Sequence, residues 1–382
     1  MTSKLDTLCA YAKGKIAVEA LNAQTYISTE NMMPNKGGIV AASSLPSVQY
    51  TQQYLKGDVL VSNIRPYFKK IWMAEYDGGC SNDVLVFRAN SSCDPTFLYY
   101  VLANDVFFDY ATATSKGTKM PRGDKTAIMQ YDVPNYDMDT QLRIGKLLRS
   151  LDDRIATNKK INDNLELQAQ AFFQELFVDN ADPEWAIGTI SDLGAVVGGS
   201  TPSKAKPEYY TETGIAWITP KDLSINKSKF ISHGEKDITK LGLKNSSATI
   251  MPEGTVLFSS RAPIGYIAVA AGEVTTNQGF KSIVPKPEIG TAFVYYFLKH
   301  NLPIIEGMAS GSTFKEVSGN TMKGVPAVIP DTDTIARFND FCTPIFAQQR
   351  ILEEQNQSLA VLRDNLLPKL MSGEIDVSTI QL

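Results

Sequence analysis

Gly57-Asp58-Val59-Leu60-Val61-Ser62 and Gly254-Thr255-Val256-Leu257-Phe258-Ser259 are two versions of one pattern, a glycine and a polar residue leading into a short apolar run. Flanking segments repeat in the same order. Upstream, Tyr26-Ile27-Ser28-Thr29-Glu30-Asn31-Met32 is matched by Trp217-Ile218-Thr219-Pro220-Lys221-Asp222-Leu223. Downstream, Phe97-Leu98-Tyr99-Tyr100-Val101-Leu102 is matched by Phe293-Val294-Tyr295-Tyr296-Phe297-Leu298, Gly117-Thr118-Lys119 by Gly311-Ser312-Thr313, and Val133-Pro134 by Val325-Pro326. One such pair is within chance, but five in register at a period of about 191–197 residues mark an internal duplication.

Within each copy, β-branched and aromatic runs such as Val84–Phe87 and Tyr266–Val269 are broken by Gly, Pro, Asn and Ser, which predicts several short strands. Phe97–Leu102 and Phe293–Leu298 begin short helical patterns. The fold class expected is α+β: two similar mixed α/β globular domains, 1–138 and 182–332, each followed by a long helix, 139–181 and 333–382 including a C-terminal tail.

The two helical segments carry heptad seams. In the first, Ile144, Leu148, Leu151, Ile155, Asn158, Asn162, Leu165, Ala169, Phe172 and Leu176 alternate steps of four and three. Ile335, Phe338, Cys342, Ile345, Gln349, Leu352, Asn356, Leu359, Arg363, Leu366 and Leu370 do so in the second. Such seams pair as a coiled coil whose Asn residues set register, although a stripe lying only on its own domain is the alternative. Pro344 removes a backbone bond and suggests that the second helix in effect begins there. Asp179–Pro183 closes the first helix; Leu366-Leu367-Pro368 followed by Ser372-Gly373 closes the second. Connectivity then requires an antiparallel pair with approximate two-fold symmetry. A helix over 141–177 would be about 55 Å long and act as a spacer, a geometry suited to a split DNA site.

Composition narrows the function classes. The chain has 382 residues, 43% hydrophobic, enough for more than one core. No apolar run approaches the roughly 20 residues that span a bilayer, and the N-terminus lacks a signal pattern, so a cytoplasmic protein without a membrane partner is expected. Four cysteines without a C-x-x-C pair and two histidines argue against disulfides and structural zinc. The net charge of −4 arises in the helical segments: 1–137 holds 13 basic and 13 acidic residues, and 183–332 holds 14 and 13. Near-neutral globular halves neither require nor exclude DNA binding, which needs only a local basic face.

No catalytic machinery is legible. There is no G-x-G-x-x-G, no Pro-Pro pair, and no E-x-K or D-x-K tripeptide; Gly198–Lys204 resembles a P-loop only superficially, because Ser203 stands where a glycine must precede the lysine. His233 and His300 lack a triad context. Basic and polar loops remain, at equivalent places in the two copies. Asn63, Arg65, Lys69 and Lys70 lie just past the repeated strand in the first, and Arg261 in the second. Lys116, Thr118, Lys119, Arg122 and Lys125 form one loop cluster, answered by Ser312, Thr313 and Lys315, while Lys221, Asn277 and Gln278 are further candidates. Cationic side chains suit phosphates, and Arg, Asn and Gln suit base edges, so these are the expected DNA-binding residues.

Taken together, the repeats and heptads resemble the specificity subunits of Type I restriction-modification systems over essentially the whole chain. The most specific parts are Ala216–Leu223, Gly311–Lys315, Leu151-Asp152-Asp153-Arg154-Ile155 with Phe177-Val178-Asp179, and Leu362–Ile375. The resemblance implies two target recognition domains reading a bipartite double-stranded DNA target, separated by helices that bind two methyltransferase subunits and, where a nuclease is present, two restriction subunits. It implies no cofactor in this chain, S-adenosylmethionine in the methyltransferase partner, and ATP and Mg in a restriction partner. The first domain departs more from the pattern than the second, at Tyr26–Met32. A two-headed scaffold holding protein ligands is the competing class.

Overall fold

The run after Gly57 forms the strand Val59–Ser62, and its counterpart after Gly254 forms Val256–Ser260. Both glycines have positive φ, 90° and 82°, a conformation that a side chain would strain, so the sequence match reports a shared turn into the strand. A computed structural model describes residues 2–311 and 315–380.

Each strand sits inside its sheet. The first copy orders Cys9–Tyr11, Val84–Ala89, Val59–Ser62 and Ile71–Met73; the second orders Gly194–Gly198, Lys281–Pro285, Val256–Ser260, Ile264–Ala270 and Phe230–Ile231. Alternate residues face two separate cores: Val59 and Val61 one, Leu60 the other, and likewise Val256 and Phe258 against Leu257. Burial on both faces is why these strands read as unbroken apolar runs. The matched motif upstream forms a parallel pairing in both copies, Tyr26–Ile27 with Gly79 and Cys80, and Trp217–Ile218 with Thr275 and Thr276. The matched Val-Pro dipeptides lie in antiparallel pairs, Thr2–Lys4 with Asp132–Pro134 and Ala186–Thr189 with Pro326–Ile329. The aromatic segments form the helices Pro95–Ala103 and Thr291–His300.

The long helices run Met138–Gln174, ending in a π-turn at Glu175–Asp179, and Thr332–Ser372. The chain divides into two compact units, one of Met1–Ile155 with Gln357–Leu382 and one of Ala156–Asn356, so each unit contains part of both helices. In the first unit Ile144 and Leu148 share a core with Leu367 and Leu370, and Asp152 accepts from Arg363 at 2.6 Å and from the Tyr100 hydroxyl at 2.6 Å. In the second, Ala169, Phe173 and Leu176 share a core with Ile335, Phe338, Cys342 and Ile345. Asn158 donates to Asn356 at 3.0 Å, and Gln349 donates to the Asn162 carbonyl at 3.2 Å. Partner numbers fall on one helix as they rise on the other, so the segments pair antiparallel within each unit.

The expectation that the second helix begins at Pro344 is not met, because helix is continuous from Thr332 to Ser372. Buried Cys342 and Ile345 hold the chain on either side of the missing N–H. Pro368 is likewise inside the helix, and the stop is Gly373, at φ 77°. All four cysteines are buried and free.

A polar network ties the second unit's sheet to both helices. The Lys229 ammonium is buried between Glu166, with which it forms an ion pair, and the Gln349 oxygen at 2.6 Å, with the Phe346 ring 4.2 Å away. The Lys229 and Phe230 amides donate to Glu353, while Glu166 also accepts from Tyr296 at 2.9 Å and Lys299 at 2.5 Å. Burial raises the Glu166 carboxyl, but Lys229 and Lys299 outweigh it and hold the group at about 2. For Lys229, burial, helped by the Lys299 ammonium nearby, outweighs the pull of Glu166 and Glu353, so its pKa lies below the ordinary lysine value.

Candidate nucleic-acid interface

In the first copy the chain leaves the strand Val59–Ser62 through Asn63-Ile64-Arg65. The Asn63 amide donates to the Asp83 carbonyl at 2.8 Å and its carbonyl accepts from Gly123 at 3.1 Å. Arg122 forms β-bridges with both Ile64 and Lys116, and the Arg65 amide donates to the Pro121 carbonyl at 2.8 Å. These bonds lay a hairpin over 116–122 against the strand end. They gather Asn63, Arg65, Lys116, Thr118, Lys119 and Arg122 into one loop cluster, with Lys125 just beyond.

Arg65, Thr118, Lys119 and Lys125 are exposed, and the three cations among them make no ion pair with the described residues. Lys116 pairs with Asp124 at 2.5 Å and Arg122 with Asp83 at 3.2 Å. Lys116, and then the helix-cap amides of Ala127 and Thr126, hold Asp124 below its ordinary value. Pairs this exposed are screened by solvent and exchange readily for a phosphate. Three expected contacts are turned toward the protein instead. Asn63 is buried, with its Oδ1 unpartnered; Lys70 donates to the Thr29 carbonyl at 2.6 Å, and burial lowers its pKa; Lys69 joins Lys36 on Asp105, at 2.9 and 2.8 Å.

The second copy repeats the frame with different charge. Val317 donates to the Ser260 carbonyl at 2.9 Å, as Gly123 does to Asn63, and Ser310 bridges Glu316, as Lys116 bridges Arg122. An acid thus replaces the arginine, and Glu316 accepts from Arg261 at 3.3 Å and Lys281 at 3.5 Å. Lys315 is exposed without an ion pair among the described residues, whereas Ser312 and Thr313 lie outside the described residues. Arg261, Lys221, Asn277 and Gln278 converge on one cleft of about 990 Å³. Lys221 pairs with exposed Glu235 at 2.5 Å, Asn277 Oδ1 accepts from the Gly279 amide at 2.8 Å, and Gln278 accepts from the Thr201 hydroxyl.

The wall of this cleft explains the repeated Trp217 segment. Trp217 donates its ring N–H to the Ser200 carbonyl at 3.0 Å, and Asp222 caps the next helix by accepting from the Thr219 amide at 2.7 Å and hydroxyl at 2.6 Å. In the first copy Asn31 takes the aspartate's place, accepting from the Ser28 amide at 2.6 Å, beside a smaller cleft of about 430 Å³. The motif therefore records packing and capping, and the contact residues vary around it.

Several exposed groups escaped the sequence reading. Lys204, set aside above with the P-loop-like segment, and Lys236, which nothing local marks, enter the second cleft from loops distant in sequence. Tyr67 and Phe68 lie among the chosen residues in Arg65-Pro66-Tyr67-Phe68-Lys69-Lys70, where cations flank exposed aromatics; that signal was legible. Among the described residues no group of His, Cys, Asp and Glu could hold a metal ion, and no helix is long and apolar enough to cross a membrane. Chemically, both copies present ammonium and guanidinium groups suited to phosphate oxygens, and the second adds the amides of Asn277 and Gln278, suited to base edges.

A family model described as Type I restriction modification DNA specificity domain matches residues 1–167 and again 183–360. The Type I restriction enzyme MjaIX specificity subunit of Methanocaldococcus jannaschii is 38% identical over 191 residues, 48% of this chain and 44% of that one. The match thus spans less than half of that relative. The Type I restriction enzyme HindI specificity subunit of Haemophilus influenzae is 24% identical over 436 aligned positions, 92% of this chain and 94% of that one. Among solved structures, the Type-I restriction-modification system S subunit from M. genitalium superposes with a TM-score of 0.59 at 18% identity, over 97% of this chain and 96% of that one, a likeness of fold.

Proposed function

The chain belongs to the Type I restriction modification DNA specificity family, whose model matches it twice, and from that premise we propose that it reads a split duplex target, one half-site per copy. The reading rests above all on one observation: in both copies a bridged pair, Lys116 with Arg122 and Ser310 with Glu316, lies beside a backbone bond to the end of the same strand, and exposed cations stand there, Lys116, Lys119 and Arg122 in the first copy and Lys315 in the second. A shared frame with different side chains is what two readers of different half-sites require. Exposed cations position the backbone, and nearby amides and guanidinium groups discriminate bases.

The chain itself carries out no chemistry in this reading. It docks two methyltransferase subunits on its helices, where Leu142, Leu167, Val361 and Leu362 are exposed apolar groups that a partner would cover. S-adenosylmethionine belongs to that partner, and ATP and Mg to a restriction subunit where one joins the complex.

The test is a genome-wide methylation map, with and without this chain, in cells expressing its methyltransferase. The expected result is one split motif with a constant gap, methylated only when the chain is present. An unchanged map would overturn the assignment.

A further inference from the structure

In the first copy the five residues Arg65-Pro66-Tyr67-Phe68-Lys69 form a tight turn with a left-handed residue at each end, Arg65 at φ 50° and Lys69 at φ 51°. Neither is glycine, so the surroundings must impose the conformation. They do so from several sides. Asn35 and Lys36, themselves at positive φ, donate their amides to the carbonyls of Phe68 and Lys69, each at 2.8 Å. Lys36 and Lys69 both grip Asp105, at 2.8 and 2.9 Å, and Lys70 lies 6.0 Å from the Phe68 ring while anchored to Thr29.

This bracing holds two aromatic side chains out in solvent. Tyr67 is 48% exposed and Phe68 38%, although Ile71 and Trp72, which follow, are buried. The two rings touch, with centroids 4.8 Å apart. The Arg65 amide joins this turn directly to the hairpin that carries Lys116, Lys119 and Arg122. The second copy shares the left-handed residue before proline, Ala262 at φ 47°, but joins it to Pro263 by a cis bond and continues into the strand Ile264–Ala270 without an aromatic tip.

We propose that Tyr67 and Phe68 form a rigid wedge that enters duplex DNA at one base step of the half-site read by the first copy. The proposal rests on the DNA-reading function above. Arg65 at the start of the turn and Lys119 on the adjoining hairpin, both exposed and without an ion pair among the described residues, identify the occupant as nucleic acid, since they hold phosphates beside the tip, and apolar side chains driven into a step unstack and kink it. The strained frame supplies rigidity before contact, so ordering costs are not incurred on binding. Specificity then includes how easily a step deforms, in addition to which edges are read. The second half-site is read without a wedge.

The test uses the full chain assembled with its methyltransferase on duplexes bearing the mapped target, with 2-aminopurine at successive positions other than the methylated adenine. Wild-type complexes are expected to brighten at one step, in one half-site only. Tyr67→Ala with Phe68→Ala should abolish that signal and weaken binding by about 5- to 100-fold, the range for loss of base–aromatic stacking. Tyr67→Phe should retain both. Hydroxyl-radical protection of the other half-site shows that the variant is folded. Brightening that survives the alanine variant, appears equally in both half-sites, or is absent from the wild-type complex would overturn the wedge while selective binding leaves the DNA reading standing. A wild-type complex without selective binding overturns both.

Discussion

At the scale of single residues, burial sorts the charged groups into two kinds. Lys229 and Glu166 are structural, the first buried and the second half-buried against partners from elsewhere in the second unit. Replacing Lys229 by Met removes one of the two cations on Glu166 and leaves Lys299 in place, so the loss in urea denaturation should be measurable but below the roughly 3–5 kcal/mol of a fully stranded buried charge. Glu166 has a folded pKa of about 2 against an ordinary 4.5. A depressed carboxyl contributes its stability fully above the ordinary value and loses it as pH falls through the folded one, so this contribution should disappear between about pH 4.5 and 2. Glu166→Gln should flatten that part of the stability curve; an unaltered curve would remove the carboxylate from the account. Arg65, Lys119, Lys125 and Lys315 are of the other kind, exposed and without an ion pair among the described residues. Each alanine variant among them should weaken DNA binding by a similar factor on all sequences and reduce the slope of log K against log salt by about 1, measured by fluorescence anisotropy. A slope equal to that of wild type would mean that the residue touches no phosphate.

At the scale of elements, the long helices pair through a seam that is apolar except near its middle. Asn158 is fully buried, donates to Asn356 and leaves its own oxygen unpartnered, and the Asn162 oxygen is unpartnered too. Buried amides in a seam cost stability and select one register, because any slip would bury them against leucine. Asn158→Leu alone should destabilise, since it strands the Asn356 oxygen. Asn158→Leu with Asn356→Leu should regain or exceed wild-type thermal stability; a double variant less stable than the single one would show that the amides do more than set register. The strands make a parallel point. Val59–Ser62 and Val256–Ser260 divide their side chains between two cores, so the repeated Gly-x-Val-Leu is a packing requirement. This is why it recurs in both copies while the adjoining loops diverge, as Arg122 against Glu316 illustrates.

At the scale of the whole molecule, two duplicated units share two helices, and each helix belongs in part to each unit. If helix length sets the gap in the target, removing one heptad from both helices at matched positions should alter the gap in the methylated motif and leave both half-sites unchanged; an unaltered gap would refute the spacer role. The sequence by itself determined the duplication, the strand and helix types and the antiparallel seam, because these depend on periodicity and connectivity, which are local or ordered along the chain. It also marked the loops at the ends of the repeated strands. Only the tertiary structure decided which loop residues face solvent. Asn63, Lys69 and Lys70 turned inward and Lys204 and Lys236 came to a cleft, since a side chain's partner is set by residues far away in sequence. Continuity through Pro344 was decided there too, because buried neighbours outweigh the one backbone bond that proline removes.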